Sequence, residues 1–326
     1  MRTALTELLG LEAPIVLAPM GGAVTPELAA AVSNAGGLGT LPLSWSTPDE
    51  IESRVGETLA LTSRPFGVNL IREWDQRERL DAALAAGAPV ISLFWGAASE
   101  LVREAHDAGA VVFVSVSTAE EGARAAAAGA DVVVAQGWEA GGHVRGTVTT
   151  LALVPRVVDA VDVPVVAAGG IADGRGVAAV LALGAAGAWV GTRFLAAGES
   201  SIHEDYRRRL LEADETQTYY GELFDGGWPD APHRALRNST VEAWEAAGRP
   251  APGGRPGEKD EVAARGDGSP IGRYVSVTPQ AGMTGETEAL PNWAGQGVGL
   301  VTRVQPAGEI VRELVAEAER VLAQLA

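Results

Sequence analysis

Short apolar runs recur along the first two thirds of the chain, each after a helix-like stretch. The runs are Pro14–Ala18, Gly37–Leu41, Phe66–Leu70, Val90–Leu93, Val111–Ser115, Asp131–Ala135, Pro164–Ala168 and Ala188–Thr192. Most are apolar throughout rather than alternating, the pattern of parallel strands buried on both faces. The junctions Ala86-Gly87-Ala88, Ala108-Gly109-Ala110 and Ala128-Gly129-Ala130 each close a helix and open a strand. Glycine suits the left-handed position after a helix end. Thr25-Pro26-Glu27 and Thr47-Pro48-Asp49-Glu50 place a cap residue before an N1 proline, and Ser117-Thr118-Ala119-Glu120 reads as a capping box. Eight β–α units in a row predict an α/β fold, a (β/α)8 or TIM barrel. A doubly wound open sheet is the rival. The count of eight and the lack of an early G-x-G-x-x-G disfavour it.

The pattern changes after Phe194. Residues 199–298 are polar, charged and helix-like, with a Pro/Gly-rich loop at Arg249–Gly272. One helical stripe then returns at Ile310, Leu314, Ala318, Val321, Leu322 and Leu325. The expected organisation is a barrel of residues 1–198 and 299–326. A mostly helical insertion after strand eight, residues 199–298, caps its active site.

Composition narrows the function. The 326 residues are 47% hydrophobic, enough for an ordered core. The net charge of −17 argues against nucleic acid and anionic membrane surfaces as partners. The uncharged stretch Gly176–Gly191 is shorter than the ~20 residues of a membrane helix. No signal peptide is evident, and a cytoplasmic location is expected. With no cysteine, disulfides, thiolate nucleophiles and Cys-ligated metals are excluded. No carboxylate–histidine metal cluster and no G-x-S-x-G elbow is present, so no metal is expected. The single lysine, Lys259, lies in the insertion.

In a (β/α)8 barrel the active site lies at the C-terminal ends of the strands. Those ends carry Pro19–Gly22, Pro42-Leu43, Asn69, Phe94-Trp95-Gly96, Ser115–Ser117, Gln136–His143, Gly169-Gly170 and Gly191-Thr192. Gly169-Gly170 and Gly191-Thr192 follow strands seven and eight and open helices. Bare amides and a helix N-terminus there would cradle a phosphate, unless the glycines serve only tight turns. Gln136 ends strand six and can both donate to and accept from a planar heterocycle. Gly141 and Gly142 let backbone approach a ligand. His143 is then held over that ligand as base, acid or electrostatic partner. Asn69 is a ligand hydrogen-bonder or a turn residue. His106, His203 and His233 have no comparable setting.

Six ordered motifs resemble the nitronate monooxygenase family, formerly 2-nitropropane dioxygenases. They are Ala18-Pro19-Met20, Ala35–Gly39, Phe66–Asn69, Gln136–His143, Ala168–Ala172 and Gly191–Phe194. Weaker pieces follow at Arg234–Asn238 and Trp293–Gly299. The resemblance implies an FMN-binding barrel. It implies phosphate contacts around Gly169, Gly170, Trp189, Val190, Gly191 and Thr192, and flavin-ring contacts from Ala18, Pro19, Met20, Asn69, Gln136 and Gly141. It places His143 near the flavin and implies oxidation of a small nitronate or nitroalkane with O2, without nicotinamide. Relatives often carry Gln where this chain has Trp189, so backbone contact is the expectation there. A homodimer stays open, because no sequence feature fixes a symmetry.

Three other readings share the scaffold. Two are NADH-dependent flavin reductases, an enoyl-ACP reductase or an NADH:quinone reductase. Enoyl-ACP relatives tend to have Glu at Gln136, and an acidic carrier would meet a surface of the same sign. The third is a non-redox barrel that binds a phosphorylated metabolite.

Overall fold

The computed structural model describes residues 1–95 and 99–325. Gly96, named above at the end of strand four, lies outside the described residues. Eight parallel strands are β1 (Ile15–Leu17), β2 (Gly39–Pro42), β3 (Phe66–Ile71), β4 (Val90–Phe94), β5 (Val111–Val116), β6 (Val132–Gln136), β7 (Val165–Ala168) and β8 (Gly187–Val190). Each pairs with its sequence neighbour from β2 through to β8, and β8 pairs with β1. A single parallel bridge, Val16–Leu38, joins β1 to the residue before β2 and brings the ring round. The protein is a (β/α)8 barrel.

Alternation along the strands sorts side chains into two layers. Val165 and Ala167 face the surrounding helices, with Leu17, Val68 and Val114. Val166 and Ala168 face the barrel interior, with Val16, Phe113, Val132 and Val134. The N-terminal helix Ala4–Leu9 closes the bottom of that interior with Leu5. The capped helix starts form as the residue types dictate. Thr25, Thr47 and Thr118 each accept from the third following amide, and Pro26 and Pro48 occupy N1.

Residues after β8 depart from expectation. Helices Glu204–Glu212 and Ser239–Ala246 form there, with two short 3-10 turns. Five short strands are interleaved with them, in two small antiparallel sheets, so the region is not mostly helical. The reason is physical. These strands are two to four residues long, too short for a periodicity to announce them, and some draw partners from remote sequence. Strand His233–Leu236 pairs on one side with Thr218–Gly221 and on the other with Gly142–His143, reaching back to the loop after β6.

Helix Ala307–Leu325 lies against the helix Gly174–Ala182. Its Ile310, Leu314 and Ala318 are buried in the layer outside the strands, with Val321 and Leu322 packed at the edge. Leu325, assigned to the same stripe from the sequence, is instead 79% exposed at the helix end.

Candidate active site

A cavity of about 590 Å3 opens at the C-terminal ends of the strands. Ala18, Pro19, Met20, Asn69, Gln136, Gly141, His143, Gly169, Gly170, Trp189, Gly191 and Thr192 all line it. Val190 does not. Strand alternation turns its side chain into the helix-facing layer, and only its carbonyl is engaged near the site, accepting from the Ala18 amide at 2.9 Å. Trp189 points inward, its ring 6.1 Å from Phe113, and forms part of the cavity floor.

One end of the cavity is a glycine cradle. Gly169 and Gly170 have φ of 111° and 70°, a region that favours glycine. Among the described residues, the amides of Gly170, Ile171 and Gly191 donate to no protein acceptor. Thr192 opens a one-turn helix and accepts from Gly295 N–H at 3.0 Å. The segment 295–297 closes the cradle from the other side. A Cβ at Gly297 would stand 2.7 Å from the Gly170 carbonyl oxygen, and one at Gly141 would stand 2.4 Å from the Gly295 nitrogen. Three loops therefore interlock at van der Waals contact. The sequence showed Trp293–Gly299 only as a weak motif; its contact with Gly170 was not legible.

The middle of the cavity carries polar groups aimed inward. Asn69 Oδ1 accepts from Ser92 Oγ at 3.0 Å, and its Nδ2 has no protein acceptor among the described residues. Gln136 Nε2 donates to the His143 carbonyl at 3.1 Å, which leaves Oε1 as an acceptor. Glu139 turns away and accepts from Thr150 N–H and Oγ1, tying down the loop that carries Gly141–His143.

His143 stands between the cradle and the mouth. Its ring stacks on Trp228 at 3.9 Å and lies 5.4 Å from Trp293. Burial in this aromatic wall, with a contribution from His233, pushes its pKa down to about 3. The imidazole is neutral at neutral pH. Nε2 lies 3.5 Å from Ser276 Oγ.

His233, set aside in the sequence reading, is in fact opposite His143. The two are direct partners across the antiparallel strand pair. Arg234, the next residue, is among the largest fully buried side chains. It donates to the Trp138 carbonyl at 2.9 Å and lies 4.3 Å over the Trp138 ring. His233 had no sequence signal and Arg234 only the weak motif Arg234–Asn238, because the pairing spans some ninety residues.

Charge is distributed unevenly. Among the described residues lining the cavity there is no carboxylate, and Arg265 is the one permanently charged side chain. In a chain of net charge −17, that makes the cavity a locally favourable place for an anion. No group of three or more His, Asp or Glu side chains suited to a metal occurs among the described residues. No helix there is long and apolar enough to cross a membrane.

A barrel with polar groups, a neutral histidine and a glycine cradle at its strand ends is a TIM barrel with its ligand site where this architecture places active sites, and the family match below makes it an oxidoreductase. The nitronate monooxygenase family model matches residues 2–83 and 71–317, and the chain belongs to that family. The nitronate monooxygenase of Pseudomonas aeruginosa is 35% identical, covering 97% of this chain and 99% of its own length. A (3aS,4S,5R,7aS)-5-hydroxy-7a-methyl-1-oxo-octahydro-1H-indene-4-carboxyl-CoA dehydrogenase of Rhodococcus jostii is 42% identical over 249 residues, 76% of this chain and 69% of that protein. The structure of FabK from Thermotoga maritima superposes with a TM-score of 0.85 at 32% identity, covering 100% of this chain and 98% of that one.

Proposed function

We propose that the protein is an FMN-dependent nitronate monooxygenase that oxidises alkyl nitronates with O2. The observation that carries this reading is the cavity's charge: among the described lining residues no carboxylate, one arginine and an uncharged histidine, facing a glycine cradle. Both the substrate and a phosphate are anions, and such a lining suits both.

The residues present fit the cofactor. The unpartnered amides of Gly170, Ile171 and Gly191, with the N-terminal turn at Thr192, match a phosphate monoester. Asn69 Nδ2 offers a donor and Gln136 Oε1 an acceptor to the edge of a planar heterocycle. Bound FMN would supply the electron acceptor for the nitronate and the reductant for O2. With no lysine in the barrel, negative charge on a reduced ring falls to backbone amides and Asn69.

His143 acts as a neutral hydrogen-bond partner. A group with a pKa near 3 is a weak base, poorly matched to removing the α-proton of a nitroalkane. A nitronate arrives already deprotonated and needs only orientation. His143 can donate one N–H to a nitro oxygen, while the stack on Trp228 fixes the plane of its ring.

A second reading is favoured by the 42% identity to a carboxyl-CoA dehydrogenase: a dehydrogenase acting on an acyl thioester. One experiment separates the readings. The purified protein is titrated anaerobically with propionate 3-nitronate, and separate samples with NADH and with acyl-CoA thioesters, while the visible spectrum is followed. Bleaching by nitronate alone is the expected result. Bleaching only by NADH or by a thioester would overturn the proposal, and a protein that stays colourless after reconstitution with FMN would remove the flavin.

A further inference from the structure

The cavity mouth holds more aromatic surface than a small nitronate needs. Trp45, Trp74 and Trp228 come from three separate segments, the loops after β2 and β3 and the region after β8. Their rings meet at centroid separations of 5.7, 6.3 and 4.9 Å. All three line the cavity. Trp228 continues the cluster inward onto His143, and Trp95 meets its edge at 4.6 Å. Trp45 is 55% exposed. An indole left partly in water at a cavity rim is apolar surface that a covering ligand would bury.

Arg265 lines the same cavity and is exposed. It lines the cavity together with Gly21 and Gly22, and a Cβ at Gly21 would stand 3.5 Å from Trp45. No carboxylate lies within ion-pair distance of its guanidinium among the described residues, whereas Arg255 and Arg273 on neighbouring segments are each paired twice. Asp267, two residues on, directs its carboxylate to Ser269. An exposed guanidinium and an exposed indole lining one cavity can read the two ends of one amphipathic ligand.

We propose that the mouth is a subsite for a bulky, flat apolar body that carries an anionic group, the tryptophan rim covering the carbon skeleton and Arg265 pairing with the anion. This deepens the function proposed above by naming a substrate class: a large cyclic or aryl substrate with a carboxylate or phosphate, rather than a short-chain nitroalkane.

The test separates binding from turnover. Holoprotein is titrated with 2-naphthoate and with acetate, with tryptophan fluorescence and calorimetry as readouts. 2-Naphthoate is expected to bind at least about tenfold more tightly than acetate, and Trp45→Ala and Arg265→Gln each to weaken it about tenfold, the scale of one aromatic or charged contact. In a second arm, kcat/KM is compared for the nitronates of phenylnitromethane and nitroethane, and Trp74→Ala should lower that ratio. Trp45 is exposed, so its variant is a fair test without loss of folding. Equal affinity for the two carboxylates, or naphthoate binding indifferent to both Trp45→Ala and Arg265→Gln, would overturn the subsite. Naphthoate binding without any nitronate turnover would keep the subsite and remove the nitronate chemistry.

Discussion

His143 and His233 face each other across an antiparallel strand pair, ring centroids 5.6 Å apart, and only His143 has ring nitrogens to offer a ligand. His233 is fully buried, with Nδ1 against the Ala231 carbonyl at 2.9 Å and Nε2 accepting from Phe224 N–H at 3.2 Å. That fixes His233 as the neutral Nδ1–H tautomer. Its uncharged ring and that of His143 share one aromatic wall.

Acid should destabilise the fold through this pair. Burial lowers the pKa of His143 to about 3 and that of His233 to about 4 from an ordinary 6.5. The unfolded chain therefore binds more protons than the folded one between those values and 6.5. The stability they protect is complete above 6.5 and declines as pH falls toward the folded pKa values. Urea midpoints measured from about pH 7.5 down to about pH 4.5 should fall, with His233→Asn showing a shallower decline than the parent. Parallel curves for the two proteins would count against the assignment.

His143→Ala should retain flavin and lose nitronate turnover by about a hundredfold, the size of a lost positioned hydrogen-bonding group. Turnover like the parent's would remove His143 from the chemistry. In the parent enzyme, kcat/KM should show no ionisation near pH 6–7 from this histidine, because its proton is gone well below that range.

Gly170→Asp would put a carboxylate into the cradle at φ +70°, where even a Cβ meets Glu139 at 3.3 Å. Flavin absorbance per protein should drop steeply after purification, with circular dichroism reporting that the barrel persists. Full occupancy in that variant would move the phosphate site elsewhere.

Arg234→Ala removes hydrogen bonds to the Trp138 carbonyl and to Thr218, and empties a large buried volume. A loss of about 3 kcal/mol in urea unfolding is expected. Because Arg234 braces the segment leading to His143, turnover should fall as well. A variant as stable as the parent would show that the stack on Trp138 contributes little.

The barrel was legible because its strands are continuous apolar runs with glycine stops; each of the eight lands within three residues of its expected bounds. The strand ends then pointed to the cavity lining, since fold and site location are linked in this architecture. The side chain of Val190 faces the helix layer, which leaves only its backbone near the site; a motif match carries no information about which way a strand residue faces. His233, the tryptophan rim and the structural role of Arg234, which the sequence showed only within a weak motif, were missed for another reason. Their meaning lies in contacts between segments far apart in sequence, and each looks unremarkable in its own window.

The contact between Gly297 and Gly170 joins two tasks. The polypeptide that follows β8 supplies Trp228, Arg265 and Trp293 to the mouth and also the segment that completes the cradle. A ligand that fills the cradle therefore stabilises, by linkage, the polypeptide that also shapes the mouth. Preference at one end of the cavity and hold at the other thus rest on one stretch of chain.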